Sequence, residues 1–140
     1  MTIGKKIRQA RKNRGMTQAQ LSEAVGIPCE RTRQYETDLR TPKEPLLQKY
    51  ADVLDFPVSF FSDHQIETKE DVLQLLFELE DNWDFKVEKS KNGYVLTTTN
   101  ESFLSLFKQW YLLRKQLGNE QITHREYEHL RAHLPNDSSN

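Results

Sequence analysis

The stretch Thr17-Gln-Ala-Gln-Leu-Ser-Glu-Ala-Val-Gly26-Ile-Pro-Cys-Glu-Arg-Thr-Arg-Gln-Tyr-Glu36 decides how this 140-residue chain is read. Thr17 and Gln20 form a capping box, in which the hydroxyl takes the Gln20 amide and the Gln20 side chain returns to the Thr17 amide, so a helix starts here. Leu21 and Val25 lie four apart on one face of that helix, with Ala24 beside them. Gly26 stands where a helix end tolerates positive φ. Ile27 packs back on the turn, Pro28 suits the first turn of a second helix, and that helix runs to Tyr35 or Glu36.

Two helices joined through a short glycine turn are the arrangement in which a second helix enters the major groove of DNA. The charge distribution agrees with such a task. Residues 1–45 hold ten basic and five acidic side chains, a balance of +5, whereas residues 46–140 hold ten basic and sixteen acidic, a balance of −6. One part of the chain is suited to approaching phosphates and the other to staying off them.

Working outward, Ile3, Ile7 and Ala10 mark the inner face of a first helix over Thr2 to Asn13, closed by Gly15. Thr41-Pro42-Lys43-Glu44-Pro45 breaks the chain before a fourth helix with Leu46, Leu47, Tyr50, Ala51 and Leu54 inward. Asp55-Phe56-Pro57 ends it. Val58 to Phe61 forms a short last turn that adds Phe60 and Phe61 to the core.

Ile7, Arg11, Gly15-Met16-Thr17-Gln18, Leu21, Gly26-Ile27, Tyr35-Glu36 and Pro42 together resemble the Cro- and Xre-type helix-turn-helix repressors of bacteria and phages, over residues 3 to 61. The resemblance implies a five-helix, lambda-repressor-like domain that docks its third helix in the major groove and works as a symmetric dimer. Three places depart from the family pattern. Thr32 occupies a normally aliphatic, buried site, and its hydroxyl is expected to bond the carbonyl four residues back. Asp38 replaces a common Gly, although Asp tolerates left-handed backbone well. Pro28 and Cys29 replace the usual polar pair at the start of the third helix.

On that helix Cys29, Glu30, Arg33, Gln34 and Thr37 share the outward face. Gln34 can pair with adenine N6 and N7, Arg33 with guanine O6 and N7, and Glu30 can accept from cytosine N4. The resemblance places Pro28, Cys29, Glu30 and Gln34 next to bases, and Arg33 at a position used less regularly. It also matches Gln18 to a glutamine that contacts phosphate, and Arg11 with Glu36 to an ion pair whose arginine faces phosphate. Arg40 and Lys43 are candidate phosphate contacts in the loop beyond. Cys29 reads as a small side chain against a thymine methyl in preference to a redox switch.

After a polar linker at 62–67, a C-terminal unit is expected over 68–134, with a disordered tail at 135–140. Thr68 caps a helix with Val72, Leu75, Leu76 and Leu79 on its apolar face, widened by Leu73 and Phe77. Alternating residues on either side of Asn92-Gly93 predict a hairpin in which Lys91 faces Tyr94, Lys89 faces Leu96 and Val87 faces Thr98. Asn100 caps a helix whose Phe103, Leu106, Phe107, Trp110, Leu113 and Leu117 would cover it. Thr123 and Glu126 open a last helix with Tyr127, Leu130 and Leu134 inward. The fold class is mainly α, an N-terminal helix-turn-helix domain followed by a small α-β-β-α-α unit.

A lone hairpin is marginal in water, so this unit needs its helices or a partner chain. Phe103, Phe107, Trp110 and Tyr111 are the candidate dimerisation residues. His129 and His133, with His124 upstream, read as exposed residues of a helix face, and no metal or other cofactor is expected. The chain has no phosphate loop and no nucleophile elbow, which argues against an enzyme. No run of eighteen apolar residues occurs, the N-terminus lacks a signal-peptide core, and a single cysteine precludes an internal disulfide. These features predict a cytoplasmic protein. Double-stranded DNA and a second copy are the expected partners. An antitoxin-like module, or one held by a protein or peptide effector, is the alternative.

Overall fold

Seven helices and one hairpin make up the computed structural model, which describes residues 1–63 and 65–135. His64 of the expected linker and residues 136–140 of the expected tail lie outside the described residues. Among the described residues, no helix is long and apolar enough to cross a membrane.

The chain divides into two units, the first formed by Met1–Gln65 together with Thr123–His133. Its elements are α1 (Ile3–Asn13), α2 (Gln18–Val25), α3 (Cys29–Glu36), α4 (Glu44–Leu54) and a 3-10 turn at Val58–Phe61. The predicted capping box holds α2 at its start, and Gly26 ends it in the left-handed conformation with φ 81°. Pro28 lies just outside α3 as its N-cap, not in its first turn, with an extended ψ of 143°. Ile7, Ala10, Leu21, Val25, Tyr35, Tyr50, Ala51, Leu54, Phe56 and Phe61 make the core.

Close packing of α1 on the end of α3 follows from two residues. Gly4 has no side chain, and a Cβ there would lie 2.1 Å from the Tyr35 carbonyl oxygen and 2.6 Å from Asp38 Oδ1. Asp38 adopts φ 59°, as its tolerance of left-handed backbone allows. From there its carboxylate accepts the Thr2 hydroxyl at 2.8 Å and the Gly4 amide at 3.3 Å, tying α1 to the chain beyond α3.

Thr32 finds different partners from the carbonyl four residues back. Its hydroxyl lies 2.7 Å from Ser22 Oγ and 3.1 Å from the Tyr50 hydroxyl, all three residues being buried. Ser22 Oγ is also 2.7 Å from the Gln18 carbonyl. A carbonyl cannot donate, so every proton is used when Tyr50 donates to Thr32, Thr32 to Ser22, and Ser22 to Gln18. Burial pushes the Tyr50 hydroxyl up to about 12, which keeps it protonated and able to donate.

The last helix, α7 (His124–Ala132), clusters with residues 1–65, whereas the sequence reading groups it with the C-terminal unit. Thr123 and Glu126 form the predicted capping box. Tyr127 is buried, Ala132 packs against the core, and Leu130 remains exposed. Apolar spacing told that one face of α7 is buried, but not against which neighbours.

The second unit contains α5 (Lys69–Trp83), β1 (Phe85–Ser90), β2 (Gly93–Thr98) and α6 (Glu101–Gly118). The strands pair antiparallel with Lys89 opposite Tyr94, Val87 opposite Leu96 and Phe85 opposite Thr98. This differs by two residues from the predicted register. Lys91 and Asn92 make the turn, and Gly93 begins β2 with φ 142°, a conformation open to glycine. A shift of two conserves every facing, so Phe85, Val87, Tyr94 and Leu96 still share one side.

Candidate nucleic-acid interface

Glu36 organises the polar side of the first unit. Its carboxylate is buried at the end of α3 and accepts Arg11 Nε at 2.6 Å and Arg11 Nη2 at 3.0 Å, a bidentate pair linking α1 to α3. Arg11 Nη1 donates to the Met16 carbonyl at 2.8 Å. Hydrogen bonding to Glu36 raises the guanidinium above its ordinary value. Gln18, at the start of α2, donates from Nε2 to Glu36 Oε2 at 2.9 Å. Three helices therefore meet at one carboxylate, and the Arg11 and Gln18 side chains are both fixed by it.

Beside this node α3 exposes Cys29, Glu30 and Arg33, with Gln34 half-buried and Pro28 open at the helix start. Glu30 and Arg33 are not independent. Arg33 Nε and Nη2 reach Glu30 Oε2 and Oε1 at 3.1 and 3.0 Å, and that bonding holds the Glu30 carboxyl below its usual range. Any base contact by either residue must therefore reckon with the other. Buried Thr32 and Tyr35 turn inward, which leaves the outward face for a ligand.

Arg40 and Lys43 line one shallow depression beyond α3, and Arg31 of α3 joins them with Tyr35, Thr41, Pro45 and Leu46. Sequence reasoning missed Arg31. It falls between Glu30 and Arg33, off the outward stripe used to choose base readers, and only the fold of the 37–43 loop brings it beside the other two cations.

Residues 7–61 match the family model described as Helix-turn-helix. Residues 7–61 thus carry a helix-turn-helix domain. Two curated relatives are transcriptional regulators of the same type. The HTH-type regulator y4aM of Sinorhizobium fredii, itself uncharacterized, is 34% identical over 68 residues, covering 48% of each chain. The HTH-type regulator SinR of Bacillus subtilis is 28% identical over 115 residues, covering 81% of this chain and 98% of its own. The chain thus spans about half the length of the first and nearly all of the second. Among solved structures, SinR in complex with DNA is 33% identical over 44% of this chain and all of its own, with a TM-score of 0.43. A complex of SinR with the SinI protein is 26% identical over 79% and 97%, with a TM-score of 0.45.

Outside the helix-turn-helix domain, the second unit buries little. Phe85 is the one buried large apolar residue among those described there. Phe103 and Phe107 meet it with ring centroids at 5.0 and 5.9 Å, and Trp83 packs on Phe103 at 5.3 Å. Cover by α6 ends there. Val87 and Tyr94 of the same sheet face remain 61% and 76% exposed, Tyr111 of α6 is 63% exposed, and Phe107 and Trp110 are also exposed. On α5 the predicted apolar face contributes no buried residue, and Val72, Leu73, Leu75 and Phe77 stay open.

His129 of α7 and His133, which caps its end, are half-buried beside Asp55 of the first unit, not exposed on a free helix face. His124 is exposed at the start of α7.

Proposed function

We propose that this chain is a sequence-specific DNA-binding transcription regulator, a repressor that works as a homodimer on a two-fold operator. The observation that carries the reading is the joint placement of an open α3 face and of Gln18 and Arg11 beside it, held by one buried carboxylate. In the major groove, α3 would present Gln34, the Glu30–Arg33 pair, Cys29 and Pro28 to base edges. Gln18 and Arg11, with Arg40, Lys43 and Arg31 at the far end, would grip phosphates and fix the register. The helix-turn-helix match over residues 7–61 and the 28% identity to the HTH-type transcriptional regulator SinR support the reading.

A single helix reads few bases, so pairing two copies doubles the contacts. Exposed aromatic side chains on the second unit, Phe107, Trp110 and Tyr111 next to Phe103, suit that pairing, since a patch of this kind is costly to leave in water. Selecting duplexes from a random pool with the full chain tests both parts. Enrichment of two inverted half-sites about 10 base pairs apart is expected. Enrichment of nothing over competitor at low salt would overturn DNA reading, and a single unrepeated half-site bound by a monomer would overturn the dimer.

The same apolar surface also fits a protein or peptide effector, the second reading. A protein of half the dimer mass by light scattering at high concentration, binding an added strand or helix one-to-one, would favour it over self-association.

A further inference from the structure

We propose that Asp55, His129 and His133 form a binding site for a divalent transition ion of the zinc class, which pins α7 to the end of α4. The three side chains come from two distant stretches of the chain, and one ligand atom from each lies within 4.8 Å of the others. His129 and His133 are four apart and so share a face of α7. Asp55 caps α4 in the left-handed conformation, φ 56°, and extends its carboxylate toward them.

His133 is oriented as a ligand requires, whereas His129 Nε2 also lies 3.0 Å from the Asp55 carbonyl oxygen, an acceptor, so metal binding must displace the His129 proton from Nε2 to Nδ1. His133 Nδ1 is 2.8 Å from the His129 carbonyl, an oxygen that can only accept, so the proton is on Nδ1 and the Nε2 lone pair faces Asp55. A metal-binding imidazole is commonly fixed in this way by a bond from its other nitrogen. His133 Nε2 is 4.0 Å from Asp55 Oδ1, too far for a hydrogen bond. His129 Nε2 lies 3.1 Å from Asp55 Oδ2, and the two imidazole centroids are 4.4 Å apart. Bonds of zinc length to nitrogen and oxygen place adjacent tetrahedral ligand atoms roughly 3.3 Å apart. The 3.1 and 4.0 Å distances run to different oxygens of the carboxylate, and the three ligand atoms, within 4.8 Å of one another, must draw together by side-chain rotation to close the site.

Phe56 walls one side, its ring 5.3 Å from that of His129 and 6.1 Å from that of His133. An apolar wall restricts water around the ligands and strengthens their hold on a cation. Arg14 is a competing cation, with Nη1 3.9 Å from Asp55 Oδ2. Both of those side chains are well exposed, so solvent screens the contest. Three protein ligands leave a fourth position for water. Imidazole and carboxylate donors without thiolate suit zinc and its neighbours, not calcium or magnesium.

The test uses the full chain, stripped with chelator and dialysed. Calorimetric titration with zinc chloride is expected to show one equivalent bound, and cobalt(II) is expected to give the visible absorption of a four-coordinate ion. Asp55→Asn and His133→Gln should each weaken binding at least about ten-fold, as the loss of even an outer partner of a metal ligand does. His124→Gln should bind as the parent does. Far-UV circular dichroism checks that each variant keeps its helices, and the cobalt spectrum of the unmodified chain decides the matter if one does not. No binding up to millimolar zinc, a six-coordinate cobalt spectrum, or equal affinity in all variants would overturn the site.

Discussion

Gln18 and Arg11 bond the same oxygen, Glu36 Oε2, at 2.9 and 3.0 Å, so the start of α2 and the middle of α1 are set by one carboxylate at the end of α3. Two side chains proposed to grip phosphate are thereby aimed before DNA arrives. Losing that carboxylate leaves Arg11 nearly buried without its charged partner, at 11% side-chain exposure. Glu36→Gln is expected to cost about 3 kcal/mol in urea unfolding, the lower end of what breaking a buried pair does. Glu30→Gln, which breaks an exposed pair, should leave the unfolding midpoint essentially unchanged. Equal effects from both would show that Glu36 is no node.

The hydroxyl chain Tyr50, Thr32, Ser22 makes a prediction by double mutation. Thr32→Val strands the buried Tyr50 hydroxyl and should cost about 1 to 3 kcal/mol. Adding Tyr50→Phe removes the stranded group and should recover most of the loss, because deleting both partners is nearly neutral. Additive losses in the unfolding free energies would contradict the chain as drawn.

Gly4 stands where any side-chain carbon would meet the Tyr35 carbonyl oxygen. Gly4→Ala must force α1 away from the Tyr35 carbonyl, and overpacking of this kind costs about 1 to 3 kcal/mol. Thermal unfolding should show the loss even though alanine favours helix. An unchanged or raised midpoint would mean that α1 packs elsewhere.

Acidification should loosen the start of α7. The amide and hydroxyl of Thr123 hold the Glu126 carboxyl below its ordinary value of 4.5. A depressed folded value means that the cap's stabilisation is present above that ordinary value and fades as pH falls through the lowered one. Exchange of the Thr123 amide should quicken over that acidic window in the parent and show no such step in Glu126→Gln. Identical pH profiles would remove the cap from the account.

Much of the first unit was legible because local chemistry fixes it. The capping box at Thr17, the left-handed Gly26 and the spacing of Ile7, Leu21, Tyr50 and Leu54 each follow from a few neighbouring residues. What was not legible depends on long-range packing. The partners of Thr32 come from α2 and α4, the neighbours of α7 lie more than seventy residues upstream, and the cluster of Asp55 with His129 and His133 exists only once α7 has docked. In the hairpin, Asn-Gly marked the turn, but Lys91-Asn92 rather than Asn92-Gly93 took its centre, with Gly93 absorbing the unusual φ at the first position of β2.

The most direct test is a base-by-base affinity profile, at fixed salt, of the parent chain, Gln34→Ala and Gln18→Ala on the duplex that selection yields. Reading by α3 predicts that Gln34→Ala relaxes preference at one position of each half-site by about 1 to 3 kcal/mol. Gln18→Ala is predicted to weaken all sequences alike. Profiles in which both variants lose the same affinity at every base, or in which neither differs from the parent, would contradict it.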